Sequence, residues 1–148
     1  MNEYNQNIDI RWSDLDPNFH IRHSVYYDFG AYIRMSFFTE HGLNVKVLLQ
    51  HHLGPILFRE ECFFKREIYF GDEVTINIKL TKASSTFSRW SIQHELVKEG
   101  GIIAAIIHVD GAWIDTQKRK LTVPTDIVAH TFGMLPKADT FEWIVKKG

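Results

Sequence analysis

A chain of 148 residues, 45% hydrophobic and 24% charged, has the length and composition of one globular domain and excludes a disordered or fibrous protein. Seventeen Lys and Arg residues against eighteen Asp and Glu residues leave a formal net charge of -1, which excludes a global basic field for nucleic acid or an anionic membrane. The lone cysteine, Cys62, cannot form an internal disulfide, and the sequence has no signal-peptide pattern and no run of about eighteen apolar residues. We therefore expect a single cytoplasmic domain over residues 1–148, without nucleic-acid or membrane partners.

The first elements in chain order are a strand, a loop and a long helix. Residues 5 to 13 alternate between apolar and polar side chains, which predicts a half-buried strand, and a loop follows from Asp14 to Arg22. From Ser24 to about Glu40, apolar side chains recur at helical spacing and are too many for one narrow stripe. This helix requires burial over much of its circumference. Ser24 is its predicted N-cap, His41-Gly42 is its predicted end, and Gly30 within it indicates close packing at that point.

The rest of the chain predicts mainly antiparallel strands. After a short helix around Val45 to His51, we expect strands near 56–64, 74–81 and 86–97, a hairpin at 98–101, a nearly continuous apolar strand from 102 to 114, a turn at 118–120, a short strand, and a helix starting near Pro124. For the tail from Met134 two alternatives are predicted, an edge strand or a subunit contact. One long helix followed by strands with short connections is an α+β order. A curved sheet that wraps the helix would best bury its apolar surface.

Three stretches of the chain together resemble a known family. They are "RWSDLDPNFHIRHSVYYDFGAYIR", "FKREIYFGDEV" and "SSTFSRWSIQHEL". In this order and spacing the chain is similar to the hot-dog fold acyl-CoA thioesterases of the 4-hydroxybenzoyl-CoA thioesterase type, over residues from about 8 to 124. The resemblance implies a hot-dog fold, a curved antiparallel sheet wrapped around one long helix. It also implies hydrolysis of an acyl-CoA thioester to a free acid and CoA, with no cofactor, because CoA is part of the substrate.

The resemblance assigns the catalytic carboxylate to Asp16 and the backbone amide that stabilises the oxyanion to His23 or Ser24. Unpaired N–H groups at a helix start favour the negative charge that develops on a thioester carbonyl oxygen. The carboxylate then either attacks the carbonyl carbon or removes a proton from water, and the resemblance leaves both roles open. By itself the local sequence favours a plain turn, because Asp before Pro is ordinary turn chemistry. Asp14 is expected to hydrogen-bond loop amides or to pair with an arginine, Arg11 or Arg22.

Further residues are expected to bind the substrate. His20 matches a histidine of the family and is interpreted as a residue that orders the loop or contacts the substrate. Aromatic side chains for the acyl group and basic side chains for the phosphates of CoA are expected from Tyr26, Tyr27, Phe58, Lys65, Arg66 and Arg89. Because sites of this family lie between subunits, a homodimer is the expected minimum, with a homotetramer, a dimer of dimers, also open.

Other interpretations are weaker or remain as alternatives. A zinc site from the scattered histidines is disfavoured, because their spacing is loose and no Cys or Glu ligand accompanies them. His94 on a strand and Arg34 on the long helix are expected to be structural. The alternatives are an acyl-carrier-protein thioesterase and a non-catalytic acyl-CoA-binding module. A hot-dog dehydratase is disfavoured, because no Asp-plus-His pair is evident on the long helix.

Overall fold

In a computed structural model that describes residues 3–145, one long helix packs against a sheet of eight strands. The elements are β1 (Asn5–Asn7), α1 (Tyr26–Glu40), α2 (Val45–Gln50), β2 (Leu53–Phe64), β3 (Val74–Asn77), β4 (Lys79–Ala83), β5 (Arg89–Lys98), β6 (Ile102–Asp115), β7 (Lys120–Thr122), α3 (Asp126–Phe132) and β8 (Lys137–Trp143). Short 3-10 turns span Trp12–Asp14, His23–Val25 and Glu99–Gly101. The predicted α+β order is confirmed.

β5 and β6 form the centre of the sheet. β6 pairs antiparallel with β5 on one side and with β2 on the other, from Leu53 opposite Asp115 to Phe64 opposite Ala105. β3 and β4 together form one interrupted strand beside β5, and β1 and β8 cover the two halves of its outer edge. Within the described residues β2 pairs with β6 alone, so the other edge of β2 is unpaired in one chain.

The core lies between α1 and the sheet face that it covers. Ile33 and Phe37 of α1, Ile92 and Leu96 of β5 and Ile107 of β6 are fully buried. Full burial of one such side chain contributes about 1.5–3 kcal/mol relative to leaving it exposed. The prediction of a helix buried over much of its circumference is met on one face only, because Ile33, Phe37 and Phe38 are buried whereas Tyr32 and Met35 lie on an exposed stripe of α1.

A polar pair is buried at the point where α1 passes closest to β5. Arg34 Nη1 donates a hydrogen bond to His94 Nε2 at 2.9 Å, and His94 Nδ1 donates to the Asn77 carbonyl oxygen at 2.9 Å. A Cβ atom on Gly30 would lie 3.2 Å from both Arg34 Nη1 and His94 Cδ2, so glycine leaves room for the pair. Burial lowers the pKa of His94 to about 3, and the charge of Arg34 adds to the effect. The structural interpretation of both residues agrees with this geometry.

Arg34 is also the link between α1 and the edge strand β2. Its Nη2 atom lies 3.7 Å from Glu60 Oε2. Burial lowers the pKa of the Arg34 guanidinium, and the negative charge of Glu60 opposes that shift. A buried guanidinium with a carboxylate and an imidazole acceptor is a compensated charge, whereas loss of either acceptor would leave it undercompensated.

The first predicted strand is wrong in its length. β1 ends at Asn7, although the Ile8 N–H still bonds to the Val74 carbonyl oxygen at 2.9 Å. Beyond it Arg11 donates to the carboxylate of Asp14 through both its backbone N–H and its side chain, which bends the chain into the Trp12–Asp14 turn. Trp12 is therefore 67% exposed and does not continue a buried face.

The predicted N-cap of the long helix is also wrong. Ser24 lies inside the 3-10 turn His23–Val25, and α1 follows with Val25 as its N-cap and no side-chain capping bond. The extended residue before the turn is Arg22, so the chain enters the helix two residues earlier than a Ser24 cap requires. The predicted end is confirmed, with His41 as the C-cap and Gly42 at a φ of 88°.

The tail forms an edge strand, one of its two predicted alternatives. β8 runs parallel to β4, with Leu80 opposite Lys137 and Ala83 opposite Trp143. Residues 146–148 of the tail lie outside the described residues. No helix within residues 3–145 has the length and apolar character needed to cross a membrane.

Candidate active site

The segment from Leu15 to Ile21 is a closed turn that carries Asp16. Leu15 and Ile21 form an isolated antiparallel bridge, and the Asp16 N–H donates to the His20 carbonyl oxygen at 2.8 Å. At the tip Phe19 has a φ of 65°, a left-handed conformation that is rare for a bulky residue. The Phe70 N–H donates to the Phe19 carbonyl oxygen at 3.2 Å, so a neighbouring segment helps to hold this conformation.

The two carboxylate oxygens of Asp16 have different surroundings. Oδ1 accepts the N–H groups of Asn18 at 2.8 Å and His20 at 3.1 Å. Oδ2 lies 3.5 Å from Nδ1 of the His20 ring and accepts no backbone N–H within the described part of the chain. One oxygen therefore closes the turn while the other remains beside an imidazole. The turn interpretation and the catalytic interpretation of Asp16 are compatible in one geometry.

Asp16 lines a cleft of about 320 Å³. Its walls come from the Asp16 turn, the start of the long helix and the segment that follows β2. The lining residues are Asp16, His20, Ile21, His23, Tyr26, Phe64, Lys65, Arg66, Glu67 and Ile68. The structure thus brings the predicted residues Asp16, His20, His23, Tyr26, Lys65 and Arg66 into one place.

Four of the predicted residues do not line this cleft. Ser24 is exposed beside it, and Tyr27, one position further along the helix than Tyr26, packs against the core instead. Phe58 and Arg89 lie elsewhere, with the Arg89 guanidinium 5.4 Å from the centre of the Phe58 ring. Phe58 precedes Phe64 by six residues on β2, which corresponds to roughly 20 Å at about 3.3 Å per residue of strand.

Peptide N–H groups are available at the helix start. The first hydrogen bond of the 3-10 turn runs from the Val25 N–H to the Arg22 carbonyl oxygen at 3.1 Å. The N–H groups of His23 and Ser24 precede this bond and so have no acceptor within the turn. The turn continues directly into α1, which adds the positive end of a long helix dipole at the cleft.

Asp14 has the structural role expected of it. Its side chain is 0% exposed, its Oδ1 lies 3.0 Å from Arg11 Nη2, and its carbonyl oxygen accepts the Arg22 N–H at 2.8 Å. Burial tends to raise the pKa of Asp14, but the hydrogen bonds from Arg11 outweigh it and hold this pKa below its usual value. Asp14 thereby ties the two ends of the Asp16 turn together, as an ionised group that does not reach the cleft.

Tyr26 and Glu67 are two further polar residues that line the cleft. Burial raises the pKa of Tyr26 to about 12, with smaller contributions from nearby negative groups including Asp16, so its hydroxyl stays protonated at neutral pH. Glu67 was missed by the sequence reasoning, although it lies within the stretch that carries the resemblance. Its contact with His20 joins segments 47 residues apart, and no local pattern predicts it.

Among residues 3–145 no three His, Cys, Asp or Glu side chains converge as metal ligands.

The sheet packed on α1, with a cleft at the start of that helix, defines a hot-dog protein. The family model of the thioesterase-like superfamily matches residues 10–132, and the chain belongs to this superfamily of thioester hydrolases. No curated protein matches the sequence. The predicted family and fold class are confirmed.

Solved structures agree with the fold at low sequence identity. The chain is similar to a hypothetical protein from Staphylococcus aureus in complex with CoA, with a TM-score of 0.84 and 16% identity over 98% of this chain and 89% of that chain. It is also similar to a 1,4-dihydroxy-2-naphthoyl-CoA thioesterase from Synechocystis, with a TM-score of 0.79 and 14% identity over 92% of this chain and 99% of that one. A DHNA-CoA thioesterase from Staphylococcus aureus gives a TM-score of 0.74 and 17% identity over 83% and 81% of the two chains.

Proposed function

We propose that this chain, as one hot-dog domain, hydrolyses an acyl-CoA thioester to a free carboxylic acid and CoA, with Asp16 as nucleophile or general base. The observation that carries the proposal is that Asp16 and His23, at the helix start, line the same cleft. A carboxylate and peptide donors supply the two things that thioester hydrolysis requires, a nucleophile or base and a site for the oxyanion. CoA enters as part of the substrate, and the proposed reaction uses no metal or cofactor.

The proposed reaction places the thioester carbonyl oxygen at the N–H groups of His23 and Ser24. As a base, Asp16 takes a proton from water while the water oxygen bonds to the carbonyl carbon and the C–S bond breaks. As a nucleophile, it bonds to that carbon, releases the CoA thiolate and forms an anhydride, which water then hydrolyses. In both routes the helix-start donors stabilise the same developing negative charge.

The cleft walls fit the two ends of the proposed substrate. Tyr26, Phe64 and Ile68 offer an apolar wall for the acyl group, while Lys65 and Arg66 are exposed cations beside it for the phosphates of CoA. One of the similar solved structures is a complex with CoA, which supports CoA as the carrier here. The free thiol of Cys62 is compatible with a reducing compartment, and we place the proposed reaction in the cytoplasm.

We further propose a homodimer built on the edge strand β2. A long edge with exposed apolar residues readily pairs with another strand, and β2 exposes Leu57, Phe58, Phe63 and Phe64. Two-fold antiparallel pairing centred on Glu61 would set Phe64 of one copy opposite Phe58 of the second copy. This pairing would bring Phe58 and its neighbour Arg89 towards the cleft of the other copy. Within one chain Phe58 and Arg89 lie away from the cleft. In the proposed dimer they would instead contribute to the cleft of the second copy.

The test is a thiol-release assay with the purified protein. It should compare CoA esters of short, long and aromatic acyl groups with the same acyl groups on acyl carrier protein. Release of free thiol together with the free acid from CoA esters supports the proposal. Turnover confined to acyl carrier protein would identify the alternative carrier, and binding of CoA esters without any release of thiol would identify a non-catalytic binding module.

A further inference from the structure

Both ring nitrogens of His20 face a carboxylate. Nδ1 lies 3.5 Å from Asp16 Oδ2, and Nε2 lies 3.5 Å from Glu67 Oε2. Glu67 comes from the segment after β2, so the imidazole bridges the two sides of the cleft. Both distances exceed those of ordinary N–H···O hydrogen bonds, as is common for groups of an active site before substrate binds.

Glu67 is held in place although its side chain is 61% exposed. The Tyr69 hydroxyl donates to Glu67 Oε2, the same oxygen that faces His20. Lys98 Nζ donates to the Glu67 carbonyl oxygen at 2.9 Å and fixes the backbone. The Tyr69 ring packs edge-on against the imidazole, with ring centres 4.7 Å apart, and His20 and Tyr69 form a backbone bridge. The ring and the carboxylate are therefore oriented by the same residue.

The hydrogen-bonding capacities of these groups restrict where protons lie. A carboxylate only accepts, whereas a neutral imidazole donates from one nitrogen and accepts at the other. If Glu67 accepts the Nε2–H, then Nδ1 is the nitrogen that faces Asp16, and any proton between Nδ1 and Oδ2 is the exchangeable one. In that arrangement Nδ1 is the side of the ring on which a proton can be taken up or released.

We propose that Glu67 is a positioning residue for hydrolysis, which acts through His20 by fixing a hydrogen on Nε2 and turning Nδ1 to Asp16. The inference rests on the proposed function of Asp16. During one turnover the carbonyl carbon loses its bond to sulfur and gains a bond to the water oxygen. Water gives up one proton, and the CoA thiolate accepts one. Nδ1 of the His20 ring first takes up the proton that water gives, passed on by Asp16 where Asp16 is the base, and then gives it to the thiolate, so that the ring returns to its starting state with hydrogen on Nε2.

Other charged or titratable groups face this assembly and belong to any account of its pH dependence. They are His23, Tyr26, Lys65 and Arg66 in the cleft, Asp72, whose Oδ2 accepts the Tyr69 N–H at 2.8 Å, and Lys98, whose Nζ lies 5.8 Å from the centre of the Tyr69 ring and 3.1 Å from Asp72 Oδ2. The decisive variants therefore change Glu67 alone and leave these groups in place.

The first test compares Glu67→Gln with wild type in thiol release over a range of pH. We expect kcat to fall by about tenfold to a hundredfold with KM within about twofold, a changed pH profile, and partial recovery in Glu67→Asp. Glu73→Gln is the matched control, because it removes the same charge from an exposed residue outside the cleft and should behave as wild type. In a His20→Asn background, Glu67→Gln should cause no further loss, since Glu67 acts through the ring.

The second test determines the tautomer of the His20 ring in the absence of substrate, by 15N NMR. Wild type should carry hydrogen on Nε2, because the proposal makes the Glu67 carboxylate the acceptor of that hydrogen. In Glu67→Gln the side-chain amide can donate to Nε2, so the tautomer with hydrogen on Nδ1 should appear. An unchanged tautomer, or an unchanged kcat and pH profile, overturns the inference. If wild type hydrolyses no thioester, the proposed function fails, while the NMR comparison still decides whether Glu67 sets the tautomer.

Discussion

Asp16 and His20 contact each other twice. The backbone N–H of His20 donates to Asp16 Oδ1 at 3.1 Å, and Nδ1 of its ring lies 3.5 Å from Asp16 Oδ2. The first contact orients the carboxylate by closing the turn, and the second places an imidazole beside its other oxygen. A feature that a local sequence pattern explains as a turn therefore also presents the carboxylate to a cleft.

The buried imidazole of His94 makes folding stability depend on pH. Its pKa is lowered to about 3 by burial and by Arg34, whereas an unfolded histidine titrates near about 6.5. Below the unfolded pKa, the histidine of the unfolded chain binds a proton that the buried imidazole does not. The contribution of His94 to stability is therefore complete above the unfolded pKa and is lost as the pH falls towards the folded pKa. We expect this residue to reduce the free energy of unfolding by about 2 kcal/mol between pH 7 and pH 5.

Urea unfolding of wild type and His94→Gln at both pH values measures this contribution. The variant should be less stable at pH 7, since it loses the contacts with Arg34 and Asn77, but its stability should fall less on acidification. His130→Gln, at an exposed position of α3, is the control and should keep the wild-type pH dependence. Equal pH dependence in wild type and His94→Gln would contradict the neutral buried imidazole.

Gly111 on β6 should not tolerate a side chain. A Cβ atom there would lie 2.5 Å from the Ile56 carbonyl oxygen and 2.6 Å from Cζ2 of the buried Trp90. Because neither backbone nor a packed indole can move cheaply, Gly111→Ala should cost about 3 kcal/mol of unfolding free energy. The control is Gly54→Ala, whose Cβ would meet the movable Thr116 side chain at 3.3 Å and should cost less than about 1 kcal/mol. Thermal denaturation with equal losses in the two variants would refute this packing.

The proposed dimer predicts that assembly and activity are lost together. Phe63→Lys places a charge on the exposed edge strand β2, and light scattering should show the mass falling from twice 17.3 kDa to 17.3 kDa. Thiol release should fall with it, because Phe58 and Arg89 of the second copy are then lost from the site. Ile127→Lys, at an exposed position of α3, should remain dimeric and active. A fully active monomeric wild type would exclude a site shared between copies.

The basic wall of the cleft should act on the CoA part of the substrate. Lys65→Ala and Arg66→Ala should raise KM for acyl-CoA several-fold, because exposed cations attract phosphate most strongly at low salt. The same variants should behave as wild type with an acyl thioester of N-acetylcysteamine, which has no phosphate. Lys120→Ala, on the exposed strand β7, is the charge-matched control. An equal rise in KM for both substrates would mean that these residues shape the acyl site instead.

Elements with a strong local period were predictable from the sequence. Alternation along residues 86 to 97 put Trp90, Ile92 and Leu96 on one side, and all three are buried. In contrast, the early end of β1 depends on the capping of a turn by Arg11 and Asp14, which competes with the strand pattern. The parallel pairing of β8 with β4 joins segments far apart in the chain and leaves no periodic signal.

The site was predictable to the extent that one continuous stretch carries it. Asp16, His20 and His23 lie within one turn and helix start, so the resemblance located them together. Glu67 enters through a bridge between distant segments, and Phe58 reaches the cleft only if a second copy supplies it. Such contacts depend on strand register and assembly, which the side-chain pattern of a single sequence does not encode.

The measurement that tests the central claim most directly is kcat for thiol release by Asp16→Asn. The amide keeps an oxygen that can accept the N–H groups of Asn18 and His20, so the turn should persist and circular dichroism should be unchanged. Asp28→Asn, at an exposed carboxylate of α1 outside the cleft, is the matched control and should retain wild-type activity. We predict a loss of about a hundredfold or more in kcat for Asp16→Asn alone. A folded Asp16→Asn protein with kcat close to that of wild type would contradict the account.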